Sequence, residues 1–232
     1  MRLSGDKRVE ALIFDLDGVI LDSMASHVAA WQTAFFEAGL DVSADFIYLH
    51  EGALDRERIC VLLGRAGQRL EPEAFDRART RQREIYIGQY ADKVRVFPQA
   101  AGLISRLSRA GMELALVTSS TRRVLSPGLL SWLEKHFCLL VTGDQVQRTK
   151  PDPEPYLTAL AGLGLEPNEA LVVENAPAGI KAARRAGLAC VALATTLPPS
   201  ELAEADRVLP DHDALTDLLE QELSPWPAVI LE

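Results

Sequence analysis

Two aspartates, Asp15 and Asp17, follow the apolar run Ala11–Phe14 and are separated by one residue. Side chains alternate between the two faces of a strand, so carboxylates at i and i+2 project to the same side. One carboxylate can then act as a nucleophile, while the other, whose pKa is raised by the nearby negative charge, can carry a proton near neutral pH. Gly18 allows a sharp backbone turn beyond the pair. A plain acidic turn has the same pattern, so catalysis and a turn both remain open at this point.

Three more polar groups follow apolar runs or rigid turns, and they are Thr118-Ser119-Ser120, Lys150 before a Pro-Asp-Pro turn, and Glu174-Asn175. Hydroxyls and amides at a helix start can donate to a phosphate oxygen, although Ser and Thr are also preferred as ordinary helix caps. A lysine on a proline-fixed loop can pair with a phosphate and with the aspartates, whereas most lone lysines are solvated. A carboxylate and an amide are oxygen ligands that Mg²⁺ accepts, although an acidic residue at a helix start also suits the helix dipole.

Alternating strands and helices from about residue 94 onward predict an α/β core built on a Rossmann-like, doubly wound parallel sheet. The predicted strands are 114–117, 139–141, 171–173, 191–193 and 207–209, and the predicted helices are about 100–110, 153–163, 178–186 and 214–223. The run at 11–14 has no strand partner near it in sequence, so we expect it to join the same sheet. Parallel sheets bind ligands beyond the carboxyl ends of their strands, where the polar groups are expected to meet.

Between about residues 26 and 91 the pattern is almost entirely helical and predicts a small helical bundle. We therefore expect residues 1–22 and 95–232 to form the α/β core, and residues 23–94 to form an inserted helical cap domain.

The chain has 232 residues and a formal net charge of −9. Nucleic acids are bound by basic surfaces, so we expect no nucleic-acid partner. No apolar run approaches the roughly 20 residues of a membrane span, and no signal-peptide pattern is present, so we expect no membrane partner and a cytoplasmic location. Cys60, Cys138 and Cys190 are predicted to be reduced and buried. We expect a monomer.

The order and spacing of the four polar groups resemble the four motifs of the haloacid dehalogenase superfamily of phosphotransferases. The resemblance covers nearly the whole chain, and the helical insertion after the first motif is similar to that superfamily's small cap domain. The stretch from Asp15 to Trp31, which includes His27, is similar to the β-phosphoglucomutase-like and sugar-phosphate phosphatase branch.

The resemblance implies a two-step phosphoryl transfer that uses Mg²⁺ and a small phosphorylated metabolite. Asp15 would form an aspartyl-phosphate, and Asp17 would act as general acid and then as general base. Thr118 would hold phosphate oxygens, and Lys150 would neutralise charge in the transition state. The implied metal ligands are Asp15, Asp17, Glu174 and Asn175, and the implied phosphate or substrate contacts are Gly18, Ser119, Ser120, His27 and Arg56.

The chain departs from this pattern at two positions. Asn175 replaces a common aspartate, and because an amide brings no negative charge we expect weaker Mg²⁺ affinity. Asp55, followed by Arg56, stands where the mutases carry a cap arginine, which weakens the mutase interpretation. The leading hypothesis is a Mg²⁺-dependent phosphatase of sugar phosphates. A β-phosphoglucomutase-type phosphomutase and a non-catalytic phosphometabolite-binding protein remain as alternatives.

A basic run, Arg77, Arg79, Arg81 and Arg83, lies on the last predicted cap helix. We predict a solvated face for this run. Residues 79 and 83 share one side of the helix, and that side could meet a substrate phosphate when the cap closes.

Overall fold

A parallel sheet forms the centre of the molecule in this computed structural model, which describes residues 9–50, 56–65, 67 and 70–222. Its strands are β1 (Ala11–Phe14), β2 (Glu113–Val117), β3 (Leu139–Val141), β4 (Ala170–Glu174), β5 (Ala189–Leu193) and β6 (Arg207–Leu209). The order across the sheet is β3-β2-β1-β4-β5-β6. β1 pairs with β2 on one side and with β4 on the other, as expected for a first strand that joins the later sheet. The strand order reverses at β1, where ligands bind in open α/β sheets.

Helices cover both faces of the sheet and form the insertion. Those found in the described residues are α1 (Met24–Glu37), α2 (Ala44–His50), α3 (Arg56–Arg65), α4 (Pro72–Gln89), α5 (Pro98–Arg109), α6 (Pro127–His136), α7 (Glu154–Leu163), α8 (Pro177–Arg185) and α9 (His212–Glu222). Leu12 and Phe14 of β1 pack in the apolar cluster shared with α5, α6 and α9. Ala11 and Ile13 point the other way, into the cluster shared with α7 and α8. A strand buried on both faces explains the continuous apolar run at 11–14.

The predicted α/β fold class is confirmed, with one helix that the sequence analysis missed. The predicted strands 139–141 and 207–209 coincide with β3 and β6, and the other elements agree to within about two residues at most ends. Helix α6 was not predicted because Pro127-Gly128 favours a loop. Ser126 begins this helix by accepting a hydrogen bond from the Leu129 amide.

Helices α1 to α4 lie between β1 and α5 in the chain and have an apolar cluster of their own. Trp31 is central to it, with its ring stacked 5.0 Å from Phe35 and 5.9 Å from Phe75. The two chain segments that connect this bundle to the sheet run side by side, since Leu21 and Val96 form an antiparallel bridge. The domain boundaries predicted from the sequence, near residues 22 and 95, lie next to this bridge.

Two of the cysteines differ from their predicted burial. Cys190 is buried, but Cys60 is only partly buried and Cys138 is exposed. Cys138 directly precedes β3, an edge strand with a neighbour on one side only, which leaves this position open to solvent. None of the helices described is both long and apolar enough to cross a bilayer.

Candidate active site

The polar groups predicted to meet at the carboxyl edge of the sheet line one cavity of about 780 Å³. This volume is in the range of small-molecule sites. The predicted site residues that line the cavity are Asp15, Asp17, His27, Thr118, Ser119, Ser120, Lys150, Glu174 and Asn175. Helices α1 and α4 contribute its other wall, so the cavity lies between the sheet edge and the helical insertion.

Lys150 links the ends of three strands from a buried position. Its ammonium group donates to Asp15 Oδ1 at 2.5 Å, to Glu174 Oε1 at 2.7 Å and to the Val117 carbonyl oxygen at 3.0 Å. Only 3% of its side chain is exposed. The two acidic partners raise the pKa of Lys150 in spite of its burial, so the side chain stays charged. Lys150 therefore places a fixed positive charge against the first aspartate.

Asp15 is a buried carboxyl group with an unusually high proton affinity. Burial raises its pKa, and the negative charges of Glu174 and Asp17 raise it further, while Lys150 lowers it; the result is a pKa of about 7. The group therefore changes ionisation near neutral pH, and a second cation beside it would favour the carboxylate form.

Asp17 has the opposite character. Its Oδ1 accepts hydrogen bonds from Ser23 at 2.6 Å and from His27 at 3.1 Å, and its Oδ2 accepts one from Ser120 at 2.9 Å. Burial alone would raise the pKa of Asp17, but the charge and hydrogen bond of His27 and the two hydroxyl donors lower it to about 2. In this substrate-free arrangement the raised pKa therefore falls on Asp15 and not on the second aspartate, because three donors stabilise the ionised form of Asp17.

His27 connects Asp17 to the last helix of the insertion. Its Nδ1 lies 3.4 Å from Gln82 Nε2, and its ring stacks on Tyr86 with a centroid distance of 4.0 Å. Because the ionised carboxylate of Asp17 can only accept a hydrogen bond, this contact requires a proton on Nε2 of His27. Helix α4 thus determines where the imidazole presents its proton to Asp17.

Glu174 is saturated by contacts within the protein. Its Oε1 accepts from Lys150 and from the Tyr156 hydroxyl, the latter at 2.8 Å, while its Oε2 accepts from the backbone amides of Asn175 and Ala176. Gly179 lies so close that a Cβ there would come within 1.7 Å of Oε1. These contacts make Glu174 a support for Lys150 and leave little freedom to bind a metal ion.

Asn175 stands beside the first motif. Its Nδ2 donates to Thr196 Oγ1 at 2.9 Å, and no described hydrogen bond uses its Oδ1. A Cβ at Gly18, whose φ is +82°, would lie 2.0 Å from this Nδ2. Gly18 does not border the cavity; the structure places it behind Asn175, where only glycine permits the close approach.

The hydroxyl loop after β2 is held rigidly. The Ser120 amide donates to Thr118 Oγ1 at 3.0 Å, and the Gly143 amide donates to the Ser120 carbonyl oxygen at 2.9 Å. A Cβ at Gly143 would come within 2.2 Å of the Ser119 carbonyl oxygen. Three consecutive hydroxyl residues therefore face the cavity from a fixed backbone, next to Lys150.

The oxygen donors at this edge fit a magnesium ion. Mg²⁺ is usually bound by one or two carboxylates and completes its octahedron with water and substrate phosphate. Asp15, Asp17 and Asn175 line the cavity and carry oxygens of this kind. Among the residues described, no three His, Cys, Asp or Glu side chains are grouped for an all-protein metal site.

Three contacts at the site were not predicted from the sequence, namely those of Ser23, Gln82 and Tyr156. Tyr156 follows the Pro-Asp-Pro turn by three residues and lies in the first turn of α7, on the same chain segment as Lys150. This nearness in sequence is the local signal that could have indicated it. The predicted substrate residue Arg56 begins α3, but its side chain and Asp55 lie outside the described residues.

Comparison with known proteins agrees with this geometry. The family described as haloacid dehalogenase-like hydrolase matches residues 12–193. The chain belongs to this family. Validoxylamine A 7'-phosphate phosphatase from Streptomyces hygroscopicus subsp. limoneus is 33% identical over 86% of this chain and 92% of the relative. The phosphorylated carbohydrates phosphatase of Thermotoga maritima is 30% identical over 78% of this chain and 82% of its own.

A solved structure from Bacteroides vulgatus, named as a candidate β-phosphoglucomutase, superposes with a TM-score of 0.79 at 29% identity and covers 95% of this chain and 91% of its own. Its agreement extends over the sheet and the helical insertion. The family match and the two related phosphatases identify this haloacid dehalogenase-like protein as an enzyme of the phosphatase type.

Proposed function

We propose that the enzyme hydrolyses sugar phosphates through an aspartyl-phosphate on Asp15, with Mg²⁺ as its cofactor. The observation that carries this proposal is the buried Lys150, which holds Asp15 at 2.5 Å in a cavity that Thr118, Ser119 and Ser120 also line. The phosphatases named above that act on phosphorylated carbohydrates support the substrate class.

In the first step an Asp15 oxygen attacks phosphorus and the bond from phosphorus to the sugar oxygen breaks. Thr118 and the amides of the hydroxyl loop bind the non-bridging oxygens, and Lys150 offsets the negative charge that develops. Bound magnesium supplies charge neutralisation and favours ionised Asp15; Asp15, the Asp17 carbonyl and Asn175 would hold it.

Asp17 handles the protons of both steps. Once its present donors have withdrawn, Asp17 can take up a proton from solvent and give it to the leaving sugar oxygen; the carboxylate so regenerated then takes a proton from the water that hydrolyses the aspartyl-phosphate. Its carboxylate is bonded to Ser23, His27 and Ser120, so it must exchange these donors for the leaving oxygen. Ser23 and His27 lie at the start of α1, and we propose that cap closure drives this exchange.

The test is phosphate release from a panel of hexose, pentose and triose phosphates with Mg²⁺, compared with Asp15→Asn. We expect release to fall by at least about 10³-fold in this variant, since the nucleophile is lost while the shape of the site is kept. Phosphate release that survives Asp15→Asn would contradict the covalent mechanism. Removal of Mg²⁺ with EDTA should abolish release in the wild type, and added Mg²⁺ should restore it.

A phosphomutase is the second candidate, favoured by the likeness to the Bacteroides vulgatus structure and by His27 beside the second aspartate. The same panel separates the two, because a mutase would need a sugar bisphosphate primer and would form isomerised product with little inorganic phosphate. Absence of turnover with every substrate would support a binding protein instead.

A further inference from the structure

One face of α4 borders the catalytic cavity from the cap side and carries positive charge. Arg79, Gln82 and Arg83 line the cavity together with Asp15. Their spacing of three and four residues puts them on one side of the helix. Gln82 fixes that side against the site, since its amide lies 3.4 Å from the His27 ring. The two arginines therefore border the same space as the nucleophile.

Arg83 differs from the other arginines of the cavity, because within the described part of the chain it has no hydrogen-bond or ion-pair partner. The other three are held by protein acceptors: Arg79 by Asp76 at 3.2 Å, Arg148 by Asp152 at 3.3 Å, and Arg185 by the Pro151 carbonyl oxygen at 2.9 Å. Arg83 makes no hydrogen bond or ion pair with any residue that the structure describes. Its five N–H donors are therefore available to a ligand.

The charges around Arg83 make this position suitable for an anion. Partial burial lowers the pKa of its guanidinium, and the neighbouring charge of Arg79 lowers it further, while Asp144 on the loop after β3 acts in the opposite direction. Two like charges on one helix face repel each other, and an anion between them removes that repulsion. The whole chain has a net charge of −9, whereas these two arginines give the cavity wall opposite the nucleophile a local positive charge.

We propose that Arg83, assisted by Arg79, binds a second anionic group on the substrate. The preferred substrates are then phosphate monoesters whose leaving alcohol carries a carboxylate or a second phosphate at its far end. The scissile phosphate lies against Lys150, and the second anion lies against α4. This inference rests on the proposed phosphatase function and adds the chemistry of the leaving group.

The experiment compares matched substrates that differ in one charged group. Sorbitol 6-phosphate and 6-phosphogluconate test the carboxylate, and fructose 6-phosphate and fructose 1,6-bisphosphate test the second phosphate. Wild-type kcat/KM should be higher for the anionic member of a pair by about 10-fold or more, as expected for a charge-assisted hydrogen bond. The pair that shows this preference identifies the anion.

Arg83→Ala should remove this preference. For the substrate that carries the second anionic group, kcat/KM should fall by about 10-fold, mainly through a higher KM. For the matched substrate without that group, kcat/KM should change by less than about 2-fold. Arg83→Lys should keep part of the preference, since it keeps the charge but not the bidentate geometry. Arg77→Ala is the matched control, because Arg77 is an arginine of α4 that is exposed like Arg83 but does not line the cavity. Both members should be unaffected by it.

Two results would overturn the inference while leaving the phosphatase function intact. One is a wild-type enzyme with no preference within either pair. The other is an equal loss on both members in Arg83→Ala, which would mean that Arg83 closes onto Asp144 as part of the cap movement. A lack of phosphate release from all four substrates, equal to that of Asp15→Asn, would count against the proposed function itself.

Discussion

At the scale of single residues, Glu174 and Asn175 divide two tasks that adjacent acidic residues could share. Glu174 accepts four hydrogen bonds and fixes Lys150, so its negative charge is stabilised by groups of the protein itself. The side chain of Asn175 donates from Nδ2 to Thr196, and no hydrogen bond among the described residues uses its Oδ1, so this oxygen could face a cation. The proposed magnesium site would therefore combine a neutral ligand with the carboxylate of Asp15.

Asn175→Asp should tighten Mg²⁺ binding because it adds a negative charge beside Asp15. We expect the Mg²⁺ concentration for half-maximal activity to fall by about 3- to 10-fold. Calorimetric titration of Mg²⁺ into the substrate-free protein measures the same change without turnover. Asn175→Ser, which keeps an oxygen but no charge, is the control. A Mg²⁺ affinity unchanged in Asn175→Asp would show that residue 175 does not bind the ion.

At the scale of elements, α8 runs so close beneath the end of β4 that its first turn requires glycine. A Cβ at Gly179 would lie 1.7 Å from Glu174 Oε1 and 2.5 Å from Oε2. The carboxylate cannot move aside without breaking its bonds to Lys150 and Tyr156. The tight packing of this helix against the strand is therefore what keeps the lysine in place.

Gly179→Ala should destabilise the fold by about 2 kcal/mol or more and should reduce kcat, since overpacking here displaces a buried charged network. Gly102→Ala is the matched control, because Gly102 lies inside α5 with nothing within 4 Å of a Cβ. That substitution should stabilise the protein by about 0.5 to 1 kcal/mol, as alanine usually does in a helix. Chemical unfolding measures both. A Gly179→Ala variant as stable as Gly102→Ala would contradict the close packing.

The elements could be predicted from sequence more completely than the contacts between them. Strand ends such as the one before Asp15 are visible in local apolar patterns, and parallel topology then brings them to one edge. The bond between Ser120 and Asp17 joins residues 103 positions apart in the chain, and no local pattern encodes it. The raised pKa of Asp15 and the lowered pKa of Asp17 also could not be predicted locally, since they depend on burial and on hydrogen-bond donors that only the folded chain brings together.

At the scale of the whole molecule, the central strand β1 pairs only with strands that come much later in the sequence among the residues described. β1 pairs with β2 and β4, which follow the complete helical insertion. Both connections between insertion and sheet pass through the bridge between Leu21 and Val96, a few residues from Asp17. A rotation about these connections would therefore act first on Ser23 and His27, the donors that hold the second aspartate.

The free energy of unfolding should depend on pH because Asp15 is buried next to Glu174. The pKa of Asp15 is raised from 3.8 to about 7, first by burial and then by the neighbouring carboxylates. Between pH 4 and 7 the folded protein thus keeps a proton that the unfolded chain releases, so this group lowers the free energy of unfolding as pH rises. In EDTA, Asp15→Asn should match the wild type near pH 4 and exceed its unfolding free energy by about 2 to 4 kcal/mol at pH 8.

Mg²⁺ added at pH 8 should stabilise the wild type more than the variant, because only ionised Asp15 attracts the cation strongly. Parallel stability curves for the two proteins across this range, measured by urea unfolding, would show that Asp15 is not destabilising and that the site stores no such strain.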